Sequence, residues 1–337
     1  MTRSTGPRTL RVAAVQVPSR NGAIAANLAH AEPYVAEAAR QGAALVLLPE
    51  FLPTGYLLAP ELWRAAEPAV GPTARWLSAQ ALRHGVFVGT SFLEADGDDF
   101  INTFVLAAPD GSEAGRVWKQ TPAVFEAFVT RGRAGPHVID TGLGRIVVGI
   151  CYENQLAYLP RLCAEQGADL VLMPHSAPSP TRSNRVTARK AAIYDERLRA
   201  IPEWFAAELG VPVVMANKSG PWLSPIPLIP FATQDSTFPG LSKIVDSDGR
   251  VLAALGDEEG LVVADVTIDP ARRRAAPKPF GHWARPVPRA TEMLRVTEAV
   301  GALSYRLRRA QRARAAAAVR AADGREPSAA TISRRGP

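Results

Sequence analysis

The 337-residue chain is 47% hydrophobic and 21% charged, ordinary for a globular protein and long enough for one large α/β domain or two small ones. Its two cysteines make no disulfide framework, no apolar run approaches the roughly 20 residues of a membrane span, and residues 1–10 lack a signal peptide's apolar core, so a cytoplasmic protein is expected. The net charge of +7 belongs to the tail: residues 271–337 hold 16 Lys/Arg against 4 Asp/Glu, leaving the preceding 270 residues at −5, so the basicity says nothing about what the main domain binds.

In chain order, residues 10–17 alternate as a strand, with Val12, Ala14 and Gln16 against Ala13, Val15 and Val17. Residues 21–40 read as a helix with a small apolar face, closed by Gln41-Gly42, where glycine suits a left-handed cap. Residues 44–48 form a second buried strand with Glu50 just past its carboxyl end, where α/β sheets place functional groups. Glu50 could be an ordinary loop carboxylate, but its neighbours are Leu47, Leu48, Phe51, Leu52 and Tyr56. A helix is expected over 73–84 and strands over 86–92, 102–107 and 115–119. Lys119 ends the last of these. Alone it could be a solvated lysine, yet Pro122, Phe125, Glu126 and Phe128 follow it.

Residues 146–150 are a buried Val/Ile strand that stops at Cys151, and the spacing then turns helical at Leu156, Leu159, Leu162 and Cys163. Gly149 leaves room for a close approach beside the strand. A nucleophile at a strand-to-helix turn is lifted out of the sheet, and N–H groups of the helix start face the developing charge. Alternatively Cys151 is a small buried hydrophobe. A Cys151–Cys163 bridge is not expected, because one helix would hold them about three turns apart.

Residues 169–173 form a strand ending at Pro174-His175-Ser176, and 177–189 a polar loop. Residues 190–209 are helical, with Pro202 interrupting them or starting a second part. The strand over 211–216 runs into Asn217. Residues 221–230 read as an apolar, Pro-rich loop in which Trp222 suits a pocket wall, or a packing contact with a helix or second subunit. Strands over 242–246, 251–255 and 261–266 follow, with a hairpin turn at Asp246-Ser-Asp-Gly249. The order of helix, strand and carboxyl-end residue recurs in two halves, which favours layered α/β architecture.

Three segments now stand together: Pro49-Glu50, Trp118-Lys119 and Gly149-Ile-Cys151-Tyr-Glu153. With Ala216-Asn217, Gly220 and Phe238-Pro-Gly240-Leu-Ser-Lys-Ile-Val-Asp246, this order resembles the nitrilase superfamily of carbon–nitrogen hydrolases over roughly residues 10–270. The resemblance implies an α/β fold, a four-layer α-β-β-α sandwich that pairs into homodimers or larger homo-oligomers. It also implies a Glu50, Lys119 and Cys151 triad, with Glu126 holding Lys119 or the attacking water. Tyr152, Glu153, Tyr56, His175, Asn217 and Trp222 are the candidates for oxyanion and substrate contacts.

The chemistry can be argued independently. Sulfur attacks as the thiolate, and a carboxylate in an apolar pocket can exchange protons near neutral pH. Glu50 suits that exchange. Lys119 and the Tyr152 N–H would stabilise the oxyanion, each such donor being worth about 3 kcal/mol of barrier. The thioester formed is then cleaved by water, and no metal or organic cofactor is required. Amide or N-carbamoyl hydrolysis is the expected activity. The alternatives are a nitrilase and an inactive nitrilase-like scaffold with a basic binding tail.

Two features depart from the family pattern. The stretch before Asn217 is Phe205-Ala-Ala-Glu208-Leu209, and residues 176–204 look expanded, both where substrate selection is expected. The chain is therefore divided into a hydrolase domain (1–270), an extension carrying a basic amphipathic helix (271–322), and a polar tail expected to be disordered (323–337). Met293, Val296, Val300, Leu303 and Leu307 give that helix an apolar face suited to a subunit contact. Its Arg-rich end is either solvated or a contact for nucleic acid or an anionic surface.

Overall fold

The structure, a computed structural model, describes residues 6–181, 187–229, 231–287, 291 and 293–323. The first half builds β1 (Arg8–Gln16), α1 (Ile24–Arg40), β2 (Leu45–Leu47), α2 (Pro72–His84), β3 (Phe87–Asp96), β4 (Asp99–Ala107) and β5 (Glu113–Trp118). The second half builds β6 (Val138–Thr141), β7 (Gly144–Val148), α3 (Tyr158–Gln166), β8 (Leu170–Pro174), α4 (Ala188–Arg199), α5 (Ile201–Leu209) and β9 (Val213–Ala216). Then come β10 (Ser219–Pro225), β11 (Thr233–Pro239), β12 (Lys243–Val245), β13 (Val251–Ala254), β14 (Gly260–Ile268), α6 (Met293–Leu307) and α7 (Arg309–Asp323).

Two six-stranded sheets result, in the orders β14-β1-β2-β3-β4-β5 and β13-β12-β9-β8-β7-β6. Each has three parallel strands at its centre, β1-β2-β3 and β7-β8-β9, flanked by antiparallel partners. The period-2 pattern of β1 divides its side chains between two cores. Ala13 and Val15 pack with Val35 of α1 and Leu77 of α2, whereas Val12 and Ala14 join the cluster that spans the second sheet. That cluster continues through Val147 and Val171 to Cys163 of α3 and Phe205 of α5. The layers are thus α-β-β-α, as the resemblance implied.

Of the residues 221–230 expected as a loop, 221–225 instead belong to β10, which pairs antiparallel with β11 as a separate ribbon. Pro221 and Pro225 are tolerated because a two-stranded ribbon leaves one edge of each strand without a ladder partner. Alternation then turns Trp222 inward and Leu223 outward. Cys151 and Cys163 do not share a helix. Cys151 opens a 3-10 turn (Cys151–Gln155), Leu156 is extended, and Cys163 lies in α3, both thiols free and buried.

The single tail helix is two. α6 packs on the 3-10 helix Val124–Phe128, where Gly301 lets it lie against Ala127 and Phe128. α7 packs on the 3-10 helix Pro60–Ala65 and on β4. Val296, Val300, Leu303 and Leu307 stay exposed; the face of α6 that seats it carries Gly301 and Tyr305. Part of the basic end is spent within the fold: Arg312 is buried and paired with Asp99, and Arg320 donates to the Gly97 carbonyl at 2.5 Å. The tail expected over 323–337 lies outside the described residues beyond Asp323. No helix of the described residues is long and apolar enough to cross a membrane.

Candidate active site

Glu50, Lys119 and Cys151 each stand just past the end of a strand, respectively β2, β5 and β7. The backbone is unusual beside Glu50, at Cys151 and at the start of the 3-10 helix that carries Glu126. Phe51 (φ 49°), Val124 (φ 35°) and Cys151 (φ 54°) occupy left-handed conformations that non-glycine residues adopt at a cost of about 1–3 kcal/mol each. The turn at Cys151 forms because β7 cannot continue. Asn154 reaches back to donate to the Gly149 carbonyl at 2.8 Å, and only a glycine fits there. A Cβ on Gly149 would stand 2.2 Å from Asn154 Oδ1 and 2.3 Å from a Leu159 methyl carbon.

The three side chains converge with Glu126 in a closed ionic cluster. Lys119 Nζ donates to Glu50 Oε1 at 2.7 Å and to Glu126 Oε2 at 2.5 Å. Glu50 is fully enclosed, and Cys151 is 6% exposed. Asn102 of β4 bridges the two carboxylates, donating to Glu50 Oε1 at 2.7 Å and Glu126 Oε1 at 3.2 Å. Glu50 Oε2 accepts from the Ser176 N–H at 2.7 Å, and the Ser176 hydroxyl donates to the Glu50 carbonyl at 2.5 Å. Glu50 is thereby fixed at both its carboxylate and its backbone.

Burial alone would lower the pKa of Lys119. The adjacent Glu126 and Glu50 charges overcome it and hold the ammonium form well above its ordinary range. Glu126 moves upward, because burial outweighs the nearby ammonium. Burial, reinforced by Glu50, pushes the Cys151 thiol well up, against the pull of Lys119. The resting state is therefore a neutral thiol beside an ion pair. Among the described residues, no three His, Cys, Asp or Glu side chains gather to hold a metal ion.

The sequence pattern of the carbon-nitrogen hydrolase family matches residues 11–278. The chain belongs to that family. It is 28% identical to the N-carbamoylputrescine amidase of Solanum tuberosum over 78% of this chain and 87% of that protein. It is 27% identical to a nitrilase of Paraburkholderia phymatum over 83% of this chain and 85% of that protein. Its fold matches the amidase of Nesterenkonia sp. AN1 with a TM-score of 0.61, at 26% identity over 79% of this chain and 96% of that one.

In this carbon–nitrogen hydrolase the remaining candidate residues divide by what they touch. The ring of Tyr56 lies in a cluster with Phe51, Trp222 and Phe238. Burial raises the pKa of its hydroxyl, and Glu126, Lys119, Glu50 and Cys151 all act on it, which places that hydroxyl toward the ionic cluster. Trp222 pins Tyr56 by donating to its carbonyl at 2.7 Å. Tyr152 is buried, edge-on to Trp283 at 6.0 Å, and faces Glu298 of α6.

Glu153, Asn217 and His175 are occupied with structural bonds. Glu153 Oε1 accepts from Gln120 N–H (2.7 Å) and the Tyr158 hydroxyl (2.6 Å), while Oε2 accepts from Ile150 N–H (3.0 Å). It thus ties the loop after Lys119 to the turn before Cys151. The Asn217 side chain spans two loops, accepting from Ala177 N–H at 3.0 Å and donating to the Gly240 carbonyl at 2.8 Å. His175 shares a 3.0 Å contact with Asn154; burial and then Lys119 lower its pKa to about 3, which keeps the imidazole neutral.

Sequence reasoning missed Asn102, Ser176, Tyr194 and Lys218. Asn102 had a signal, the lone amide in a mostly apolar strand. Tyr194 of α4 is close enough for Cys151 to add to the upward push of burial on its phenol. It comes from the stretch that looked expanded. A separate cleft of about 1160 Å³ lies between α6 and the outer side of the loop after Lys119, bordered by Gln120, Thr130, Arg131, His282 and Glu298. None of the three triad residues lines it.

Proposed function

We propose that this chain hydrolyses a non-peptide carbon–nitrogen bond, in an amide or N-carbamoyl compound, through a thioester on Cys151. The observation that carries the reading is the Glu50–Lys119–Glu126 cluster closed around a cysteine held in a left-handed turn. The thiol proton passes to Glu50 as sulfur bonds to the carbonyl carbon. The oxyanion is taken by Lys119 Nζ and the Tyr152 N–H. Collapse breaks the carbon–nitrogen bond, and the leaving amine takes its proton from Glu50. Water then attacks the thioester with Glu50 as base, and the acid leaves with the thiol restored. Glu126 keeps Lys119 charged and aimed. The Nesterenkonia amidase, whose E41Q mutant shows Michael addition of acrylamide at its active-site cysteine, supports a cysteine nucleophile.

The expected result is that Cys151→Ala abolishes turnover and leaves the melting temperature nearly unchanged, while the wild type accumulates an acyl-enzyme visible by intact mass. Near-wild-type turnover in Cys151→Ala would sink the mechanism.

A nitrilase activity is the second reading, favoured by the Paraburkholderia relative and by the seven-residue step from Lys119 to Glu126. A nitrile develops charge on nitrogen and gives a thioimidate that must gain protons and water. An amide develops charge on oxygen, which the Lys119 ammonium meets directly. Amides should therefore outrank nitriles of the same side chain in kcat/KM. A nitrile preference of about tenfold, roughly 1.4 kcal/mol, reverses the order.

A further inference from the structure

A second lysine is buried behind the triad. Lys218 follows Asn217 at the end of β9, and its side chain is wholly enclosed. Its Nζ donates to the Phe51 carbonyl at 2.9 Å and lies 5.6 Å from the centre of the Phe238 ring. Among the described residues no carboxylate forms an ion pair with it. An enclosed ammonium with one neutral acceptor and one ring face is poorly compensated, so its place calls for a function.

Its acceptor is informative. Phe51 is the left-handed residue directly after Glu50, and its N–H is already tied to the Ser91 hydroxyl at 3.0 Å. On the other side of the same turn the Phe51 carbonyl accepts from the Gly55 N–H at 2.9 Å, and Lys218 adds a second, charged tie from outside the turn. The titratable groups facing it are Glu50, beyond β2, and Cys151, beyond β7, and both favour its charged form. The coupling is reciprocal: the Lys218 charge favours the anionic form of Cys151.

We propose that Lys218 is a positioning residue for the triad: it fixes the Glu50–Phe51 turn through the Phe51 carbonyl, and its charge supports ionisation of Cys151. This rests on the cysteine mechanism above and adds a pH dependence to it. Burial, opposed by Glu50 and Cys151, lowers the Lys218 pKa to about 7. Below that pH the cation is present. As pH rises through it the charge leaves the site, while Lys119, held well above its ordinary range, keeps its own.

The test is the rate of Cys151 alkylation by iodoacetamide from pH 5.5 to 9, located by peptide mass so that Cys163 is counted separately. It is run on wild type, Lys218→Met and Lys218→Arg. In the wild type the rise of rate with pH should be interrupted by a plateau or dip near pH 7. Lys218→Met should lose that inflection and react about tenfold more slowly at pH 6, as for a thiol raised by about one pKa unit. Lys218→Arg, which stays charged, should lose the inflection but keep the rate. A wild-type profile with no inflection overturns the proposal, even where a variant fails to fold. So does an inflection that survives in Lys218→Met. Absence of Cys151 alkylation at every pH refutes the cysteine mechanism and this inference with it, whereas alkylation without the inflection refutes this inference alone.

Discussion

Glu153→Gln separates a substrate contact from a brace. The carboxylate accepts from Gln120, Thr121, His137 and Tyr158 on one oxygen and from Ile150 on the other. Glutamine keeps the shape and one acceptor oxygen. With that oxygen toward the four-donor side, its NH2 meets the Ile150 N–H, donor against donor. Losing a charge-assisted bond costs about 1.5–3 kcal/mol and leaving a buried N–H unmet about 1–3 kcal/mol, so a total near 3 kcal/mol is expected. The turn that presents Cys151 should also loosen, lowering kcat by about tenfold or more with KM within twofold. A pH signature follows. The pKa of His137 is pushed down by burial, but the Glu153 bond and charge outweigh this and raise it above its ordinary 6.5. Its stabilising contribution is full below pH 6.5 and fades as pH rises through the folded value. Urea unfolding at pH 6 and pH 8 should show that dependence in the wild type and its loss in the variant. A change under about 0.5 kcal/mol, with KM raised and kcat intact, would refute the brace and return Glu153 to the substrate.

Gly149→Ala should lose soluble, active protein, because its Cβ would overlap Asn154 and Leu159 at 2.2 and 2.3 Å; retained expression with wild-type kcat would refute the fit. Cys163→Ser should keep kcat/KM within about twofold and cost about 1 kcal/mol for a hydroxyl placed in the apolar face of α3, measured by denaturation. Removing residues 309–337 should leave turnover but lower stability, since Asp99 loses buried Arg312, and Ala316 and Val319 leave their cluster. Removing residues 293–337 should also cut kcat, because α6 backs the 3-10 helix that carries Glu126; equal kcat in the two truncations would refute that support.

Much of the site was legible because its residues stand at strand ends, and strand ends are marked by abrupt changes of pattern. Leu45 to Leu48 stops at Pro49-Glu50, and Ile146 to Ile150 stops at Cys151. The layers were legible for a related reason: the near-unbroken apolar runs of β1, β2, β8 and β9 are those of strands covered on both faces. What escaped is decided by long-range partners. Trp222 and Leu223 look alike in a proline-rich stretch until pairing with β11 turns one inward. The tail's apolar stripe looked like its buried face, yet a different face of α6 docks. Small Gly301 meets Ala127 and Phe128, and the Tyr305 hydroxyl accepts from the Phe100 N–H at 2.8 Å. A helix can be seated by a close backbone approach as well as by its largest side chains, and spacing alone does not reveal which face the rest of the chain can reach.

That docking changes what the extension is for. The helix Val124–Phe128 is only five residues long and begins at a left-handed valine, so it has little stability of its own. It nevertheless carries Glu126, a fully buried carboxylate that accepts from Lys119 at 2.5 Å. A carboxylate whose burial outweighs its ionic partner pushes toward solvent or protonation unless the backbone is held from behind. On one side the brace is internal: Glu126 caps its own turn through the Ala123 N–H at 3.1 Å, and Asn102 bridges it to Glu50. On the other side it is α6, through Gly301 against Ala127 and Phe128. Residues after 270 therefore back the turn that carries Glu126 without touching Glu50, Lys119 or Cys151. They limit the freedom of a short turn whose charged side chain would otherwise have every electrostatic reason to move.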